Sequence, residues 1–178
     1  MPGLDYEVIE AGPEWADDYR SFCRYAYLNA YVRPELGITQ EQFSEEVFNS
    51  PRVTKYFKDA LEKGADHKAW LAVNTGKILG GVVAYREPDY CEMQTFYVLP
   101  DLKGHGIGHN LYQKVLGFAD GMPIQVDVLK YMQSSIDMYK HWGFKVDESR
   151  GEVEYDWIEW PEKPRKAYKG IYMVKSGV

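Results

Sequence analysis

Residues Glu92 to His109 read EMQTFYVLPDLKGHGIGH, and how this stretch is parsed decides the fold. Its first half, Met93 to Val98, is rich in β-branched and aromatic side chains, the composition of a strand. Pro100 ends that strand because it has no N–H to give to a ladder. Gly104, Gly106 and Gly108 then occupy alternate positions, and Leu111, Val115, Phe118 and Ala119 follow at helical spacing. The glycines therefore sit just before, and within, the first turn of an amphipathic helix.

Such a junction binds anions. The first turn of a helix leaves about four amides without internal partners, and the macrodipole adds positive charge there. Glycines let a phosphate approach those donors closely, and Lys103 adds a formal charge at the rim. A Walker loop is excluded, since no Gly-Lys-Ser/Thr is present. A dinucleotide fingerprint is a weak rival: His109 stands where its third glycine belongs, although Asp127 lies where that fold would want an acidic residue.

A third pattern fits better. Lys103-Gly104-His105-Gly106-Ile107-Gly108 resembles the Q/R-x-x-G-x-G/A motif of the GCN5-related N-acetyltransferase family, with lysine in the first position. Ser135-Ile136-Asp137-Met138-Tyr139-Lys140-His141-Trp142-Gly143-Phe144 resembles that family's A-x-x-x-Y-x-x-x-G-F segment, with Ser135 for alanine and Met132 where asparagine is common. The two motifs stand at the family's spacing.

Around these motifs the chain reads as an α/β domain. Tyr6–Ile9 alternates as a strand, and Glu14 to about Ala30 has helical spacing. Thr39 and Gln42 form a capping-box signature before another helix. Ser50-Pro51 opens a further helix ending at Gly64. Ala69–Val73 and Ile78–Arg86 make a hairpin across Asn74-Thr75-Gly76-Lys77. Ile124–Val128 is a short strand, and a helix from about Gln133 stops at Gly143. Glu152–Ile158 and Tyr168–Val174 form a closing antiparallel pair. With the resemblance, the expected architecture is a mixed, mostly antiparallel central sheet flanked by helices, spanning residues 1–178 as one domain.

Bulk properties narrow the partners. A net charge of −6 argues against a general nucleic-acid binder and is compatible with a cationic substrate. Cys23 and Cys91 are too few for a disulfide framework or a zinc site. No signal peptide or membrane-length apolar run is visible, so a cytoplasmic protein is expected. Oligomeric state is open, a homodimer included.

The resemblance implies acetyl-CoA as co-substrate, no metal, and a primary-amine acceptor, with a small amine or polyamine favoured over a peptide. It places the pyrophosphate on the amides of Gly104, His105, Gly106, Ile107, Gly108 and His109, beside Lys103 and Ser135. It runs the pantetheine along Tyr97 and Val98, the Val98 amide serving as oxyanion donor. Tyr139 would protonate the leaving thiolate, a phenol and a thiol having reference pKa values near 10 and 8.5. Glu92 would act as base if partial burial raises its pKa. A solvated strand-start glutamate is the competing reading, and Tyr97 or a water chain could serve instead. Tyr25, Tyr27, Tyr31, Trp157 and Trp160 are candidates to line an acceptor pocket. The rival functions are a peptide or protein N-acetyltransferase, a non-catalytic acyl-CoA-binding module, and a nicotinamide-dinucleotide enzyme.

Overall fold

The computed structural model describes residues 4–154 and 168–177. Its centre is one sheet of eight strands among the described residues: β1 (Glu7–Ala11), β2 (His67–Asn74), β3 (Lys77–Arg86), β4 (Cys91–Val98), β5 (Ile124–Leu129), β6 (Lys145–Val146), β7 (Glu152–Glu154) and β8 (Lys169–Lys175). The order is β1-β2-β3-β4-β5-β8-β6, with β7 also on β8. Every pairing is antiparallel except β4 with β5. Among the described residues, five α-helices flank it: α1 (Ala16–Tyr31), α2 (Glu45–Phe48), α3 (Pro51–Ala60), α4 (Ile107–Ala119) and α5 (Gln133–His141). The mixed, mostly antiparallel sheet expected from the sequence is present. Among the described residues, no helix is long and apolar enough to cross a membrane.

Side-chain alternation divides the core. One face of the sheet, with Trp70, Val82, Met93 and Val126, packs on α4 and α5. The other, with Leu71, Val83 and Leu129, packs on α1 and α3. The β2–β3 hairpin closes through Thr75 and Gly76, both with positive φ (45° and 78°), the geometry that suits right-twisted strands.

Several sequence expectations need adjusting. The Thr39–Gln42 box forms, Gln42 Oε1 accepting from the Thr39 amide at 2.7 Å, but it caps only a 3-10 turn. Ser44 is extended there and caps the separate helix α2. Helix α3 ends at Ala60 rather than Gly64, whose amide instead donates to the His67 carbonyl in the next turn. The short strand β6 was not foreseen. The expected strand from Glu152 ends its described part at Glu154, and its remainder lies outside the described residues.

Two adjacent glycines on β3 bring helices against both faces. A Cβ at Gly80 would lie 3.0 Å from Ile107 Cγ2 and 3.1 Å from Leu111 Cδ1, both on α4. One at Gly81 would lie 2.7 Å from the Tyr19 ring of α1. Tyr19 is fully buried and crosses β3 at this point. Its hydroxyl reaches Thr95 on β4, 2.9 Å from Oγ1 and 3.1 Å from the carbonyl oxygen. Thr95 has φ of 44°, a conformation costly for a β-branched residue. The β3–β4 register shifts here, so that Thr95 and Phe96 together face Val82 in a bulge.

Gly81→Ala should overpack the Tyr19 crossing and destabilise the protein by about 1–3 kcal/mol. Chemical denaturation measures this, and an unchanged midpoint would show that Tyr19 can move aside freely.

Candidate active site

The bulge opens the sheet. Strand β5 pairs with β4 only at Cys91↔Ile124 and Glu92↔Gln125. Beyond these the two strands part, and a cleft of about 1030 Å³ occupies the gap. It runs from the glycine loop past Thr95–Val98 to Tyr31 and Tyr56 on α1 and α3.

At one end the cleft is lined with amides. Leu99 N–H donates to the Leu79 carbonyl at 2.9 Å, and antiparallel alternation then turns the Val98 N–H and C=O away from β3 and into the gap. The first internal bond of α4 is Asn110 N–H to the Gly106 carbonyl, 3.0 Å. The amides of Ile107, Gly108 and His109 are therefore left at the helix mouth. Gly104 and Gly106 hold the preceding turn with φ of 84° and 82°. Gly108 packs α4 on β4, where a Cβ would make ordinary contacts, 3.4 Å from Phe96 Cζ and 3.6 Å from Val98 Cγ2. Lys103 is exposed at the rim, and Ser135 lies across from it on α5.

His105 differs from its neighbours. Its amide is directed at the Leu102 carbonyl (3.4 Å), as is its ring Nδ1 (3.2 Å), and it does not line the cleft. The 3-10 turn Pro100–Leu102 imposes this by curling the chain back on itself. Of the loop residues put forward as phosphate donors, His105 alone is turned aside.

Deeper in the cleft are the titratable side chains. Tyr139 is buried on α5 against Trp142 and Phe144, and its hydroxyl has no hydrogen-bond partner among the described residues. Burial first, and then the charge of Asp127, raise its pKa well above that of a free phenol. Tyr31 and Tyr97 share a 2.6 Å hydroxyl–hydroxyl hydrogen bond across the cleft. Burial also raises the Glu92 pKa; Gln94 lowers it by hydrogen bonding, and the charges of Asp127 and Glu87 raise it further. Of the aromatic candidates, Tyr27 and Tyr31 both line the cleft, while Tyr25 is exposed and does not. Trp157 and Trp160 lie outside the described residues.

The sequence reading had Asp127 only in the weak dinucleotide rival. The structure puts it in the cleft wall with Glu92 and Glu154. The signal was the alternation of Ile124-Gln125-Val126-Asp127-Val128, which places Asp127 opposite the core-facing valines. Among the described residues, no group of three or more His, Cys, Asp or Glu is placed to hold a metal ion.

Residues 26–144 match the acetyltransferase (GNAT) family. The chain is 27% identical over 121 residues to the uncharacterized N-acetyltransferase YjgM of Escherichia coli, covering 64% of this chain and 70% of that protein. Arabidopsis thaliana NAA60, solved in complex with acetyl-CoA, superposes with a TM-score of 0.68 at 13% identity, covering 97% of this chain and 98% of that one. The ribosomal-protein-S18-alanine N-acetyltransferase of E. coli gives 0.65 at 12%, covering 97% and 94%. The chain belongs to the acetyltransferase (GNAT) family. It is thus an N-acetyltransferase by class.

The raised pKa of Glu92 has a consequence for stability. Its folded value lies above the unfolded one, so its stabilising contribution is full below the unfolded pKa and is lost as pH rises through the folded pKa. Glu92→Gln should accordingly raise the thermal midpoint near neutral pH, with the gain shrinking toward pH 4. A midpoint gain that does not change with pH would show that the effect is unrelated to ionisation.

Proposed function

We propose that the protein transfers the acetyl group of acetyl-CoA to a primary amine by direct attack in a ternary complex, a small amine or polyamine being favoured over a peptide. The carrying observation is one cleft with amides at one end and carboxylates at the other: Val98 and the α4 mouth on one side, Glu92, Asp127 and Glu154 on the other. The acetyl-CoA complex of the NAA60 neighbour supports the donor. The charge and the lack of a membrane-length helix among the described residues are compatible with a cytoplasmic setting.

The donor's pyrophosphate would rest on the amides of Gly104, Gly106, Ile107, Gly108 and His109, with Lys103 at the rim and Ser135 opposite. Each charge-assisted bond contributes about 1.5–3 kcal/mol. The pantetheine would run along Tyr97 and Val98, and the Val98 amide would stabilise the oxyanion as the carbonyl becomes tetrahedral. An acyl-enzyme is disfavoured, because Cys91 is buried and its pKa is raised by that burial to about 11.

Tyr139 would meet the departing sulfur. Its raised pKa keeps the hydroxyl protonated, but makes complete transfer to a thiolate of pKa near 8.5 uphill. Its role is then to donate a hydrogen bond to the thiolate, final protonation coming from solvent. The carboxylate wall would receive the acceptor ammonium. A protein acceptor is the second reading, carried by the E. coli neighbour named for acetylating a ribosomal-protein alanine.

Acetyl-CoA should raise the thermal midpoint, by about 2.7 kcal/mol of stability at a hundredfold excess over Kd, and NAD should not. A shift with NAD alone would restore the dinucleotide reading.

Tyr139→Phe should leave CoA affinity nearly unchanged while turnover falls about 10²–10³-fold. The loss should be smaller with a thioester whose leaving group has a lower pKa. Calorimetry and thiol release measure the pair. Full turnover on acetyl-CoA would make Tyr139 a packing residue, and binding with no turnover even in the unsubstituted protein would indicate a CoA-binding module.

A further inference from the structure

The three acidic residues of the cleft are not equivalent. Cys91↔Ile124 and Glu92↔Gln125 fix β4 and β5 in parallel register. Two residues further on, Asp127 is level with Gln94, on the same face of the sheet as Glu92. The bulge begins at the next residue, Thr95. The strands have already parted at the level of Asp127, so it stands inside the gap, while Glu92, in the last paired position, lies at its base roughly 6–7 Å further back along the strand direction.

The neighbours of Asp127 agree with this placement. Its charge acts on the hydroxyls of Tyr139 from α5 and Tyr31 from α1, as well as on Glu92. Tyr172 faces it from β8 and lines the same cleft, as does Glu154 of β7. Among the described residues lining the cleft, the basic side chains are Lys103 and His109, both at the amide end. Arg150 influences Glu92 from outside this lining, where it is bound to Gln125 Oε1 and lies over the Tyr172 ring.

We infer that Asp127 receives the ammonium that reacts, and that Glu92, one step behind it, receives a second cation, so the preferred acceptor is a short diamine. The inference rests on the transferase reading and deepens it. The along-strand step of roughly 6–7 Å and the roughly 4.8 Å between neighbouring strands set the two backbone positions about 8 Å apart, a distance that a diamine of about four or five carbons bridges once each ammonium stands a hydrogen bond inside its carboxylate. The ammonium at Asp127 gives up one proton, through the carboxylate, to solvent. The freed lone pair forms the C–N bond with the acetyl carbon, and the tetrahedral adduct loses the second N–H proton. The C–S bond then breaks, the thiolate leaves against Tyr139 and takes a proton. The balance is amide, CoA thiol and one proton released for each ammonium consumed.

The test uses the full chain with acetyl-CoA and three acceptors: butylamine, 1,4-diaminobutane and 4-aminobutyrate. Thiol release gives kcat/KM, and calorimetry gives CoA affinity. The unsubstituted protein should prefer the diamine over butylamine by about tenfold or more, with the amino acid poorest. Asp127→Asn should lower kcat/KM on both amines by about 10²-fold or more while CoA still binds. Glu92→Gln should abolish the preference for the diamine. If Asp127→Asn loses CoA binding, Asp127→Ser, smaller and also neutral, is read the same way. Undiminished amine turnover in a CoA-binding Asp127 variant overturns the inference, as does a preference for 4-aminobutyrate, or a diamine preference that survives Glu92→Gln. An unsubstituted protein that binds acetyl-CoA yet acetylates no amine overturns the transferase reading itself, a different result from any of these.

Discussion

The hydroxyl of Tyr19 on Thr95 is the contact on which the rest of the site depends. Thr95 holds a left-handed backbone that a β-branched residue adopts only when its surroundings enforce it. The hydrogen bond itself contributes about 0.5–1.5 kcal/mol, comparable to the strain it opposes. It can form because Gly81 has no side chain where the Tyr19 ring crosses. Without the bulge, β4 would continue at an even pleat beside β5, and the gap between them would close. The exit of the Val98 N–H into the cleft follows from that distortion, while the amide end rests on the Gly104–Gly106 turn and the carboxylate wall on the strand register.

The gap carries a charge gradient along its length. The mouth of α4 and Lys103 make one end positive, through unpartnered amides, the helix dipole and a formal charge. Glu92, Asp127 and Glu154 make the other end negative. An anionic donor and a cationic acceptor would therefore enter from opposite ends, each drawn by the potential it meets. Partial burial of Glu92 and Asp127 sharpens the acidic end because less water is present to screen it, whereas Lys103 and the α4 mouth face solvent. Burial keeps the Tyr139 proton on its oxygen, so in the proposed reaction this phenol would act as a hydrogen-bond donor and not as a full proton donor.

Much of this was legible in the residues themselves. Alternating glycines after a proline-terminated strand have few structural uses, so the loop from Lys103 to His109 could be placed from sequence. The hairpin at Asn74–Lys77 was equally plain, because glycine tolerates the positive φ its turn requires. The bulge was not. Thr95 is a strong strand former in an unbroken strand pattern, and what bends it is a tyrosine 76 residues away. Asp127 was obscured for a related reason: which carboxylate lies beside the opening depends on the register between two strands, and no local pattern carries that. His105 shows the reverse case, a residue inside a motif whose amide and ring nitrogen are directed at the Leu102 carbonyl after the preceding 3-10 turn.

Chain order adds a constraint in time. From β1 to β4, neighbours in the sheet are neighbours in sequence, so a nascent chain can complete that half as it emerges. Strand β5 has only two pairings with β4, and its long partner is β8, which follows α5, β6 and β7. The strand bearing Asp127 is thus fixed only when Lys169–Lys175 arrives to pair with it, a contact of large sequence separation and correspondingly late closure. During synthesis the glycine loop and Val98 can be in place while the wall opposite them is still unassembled.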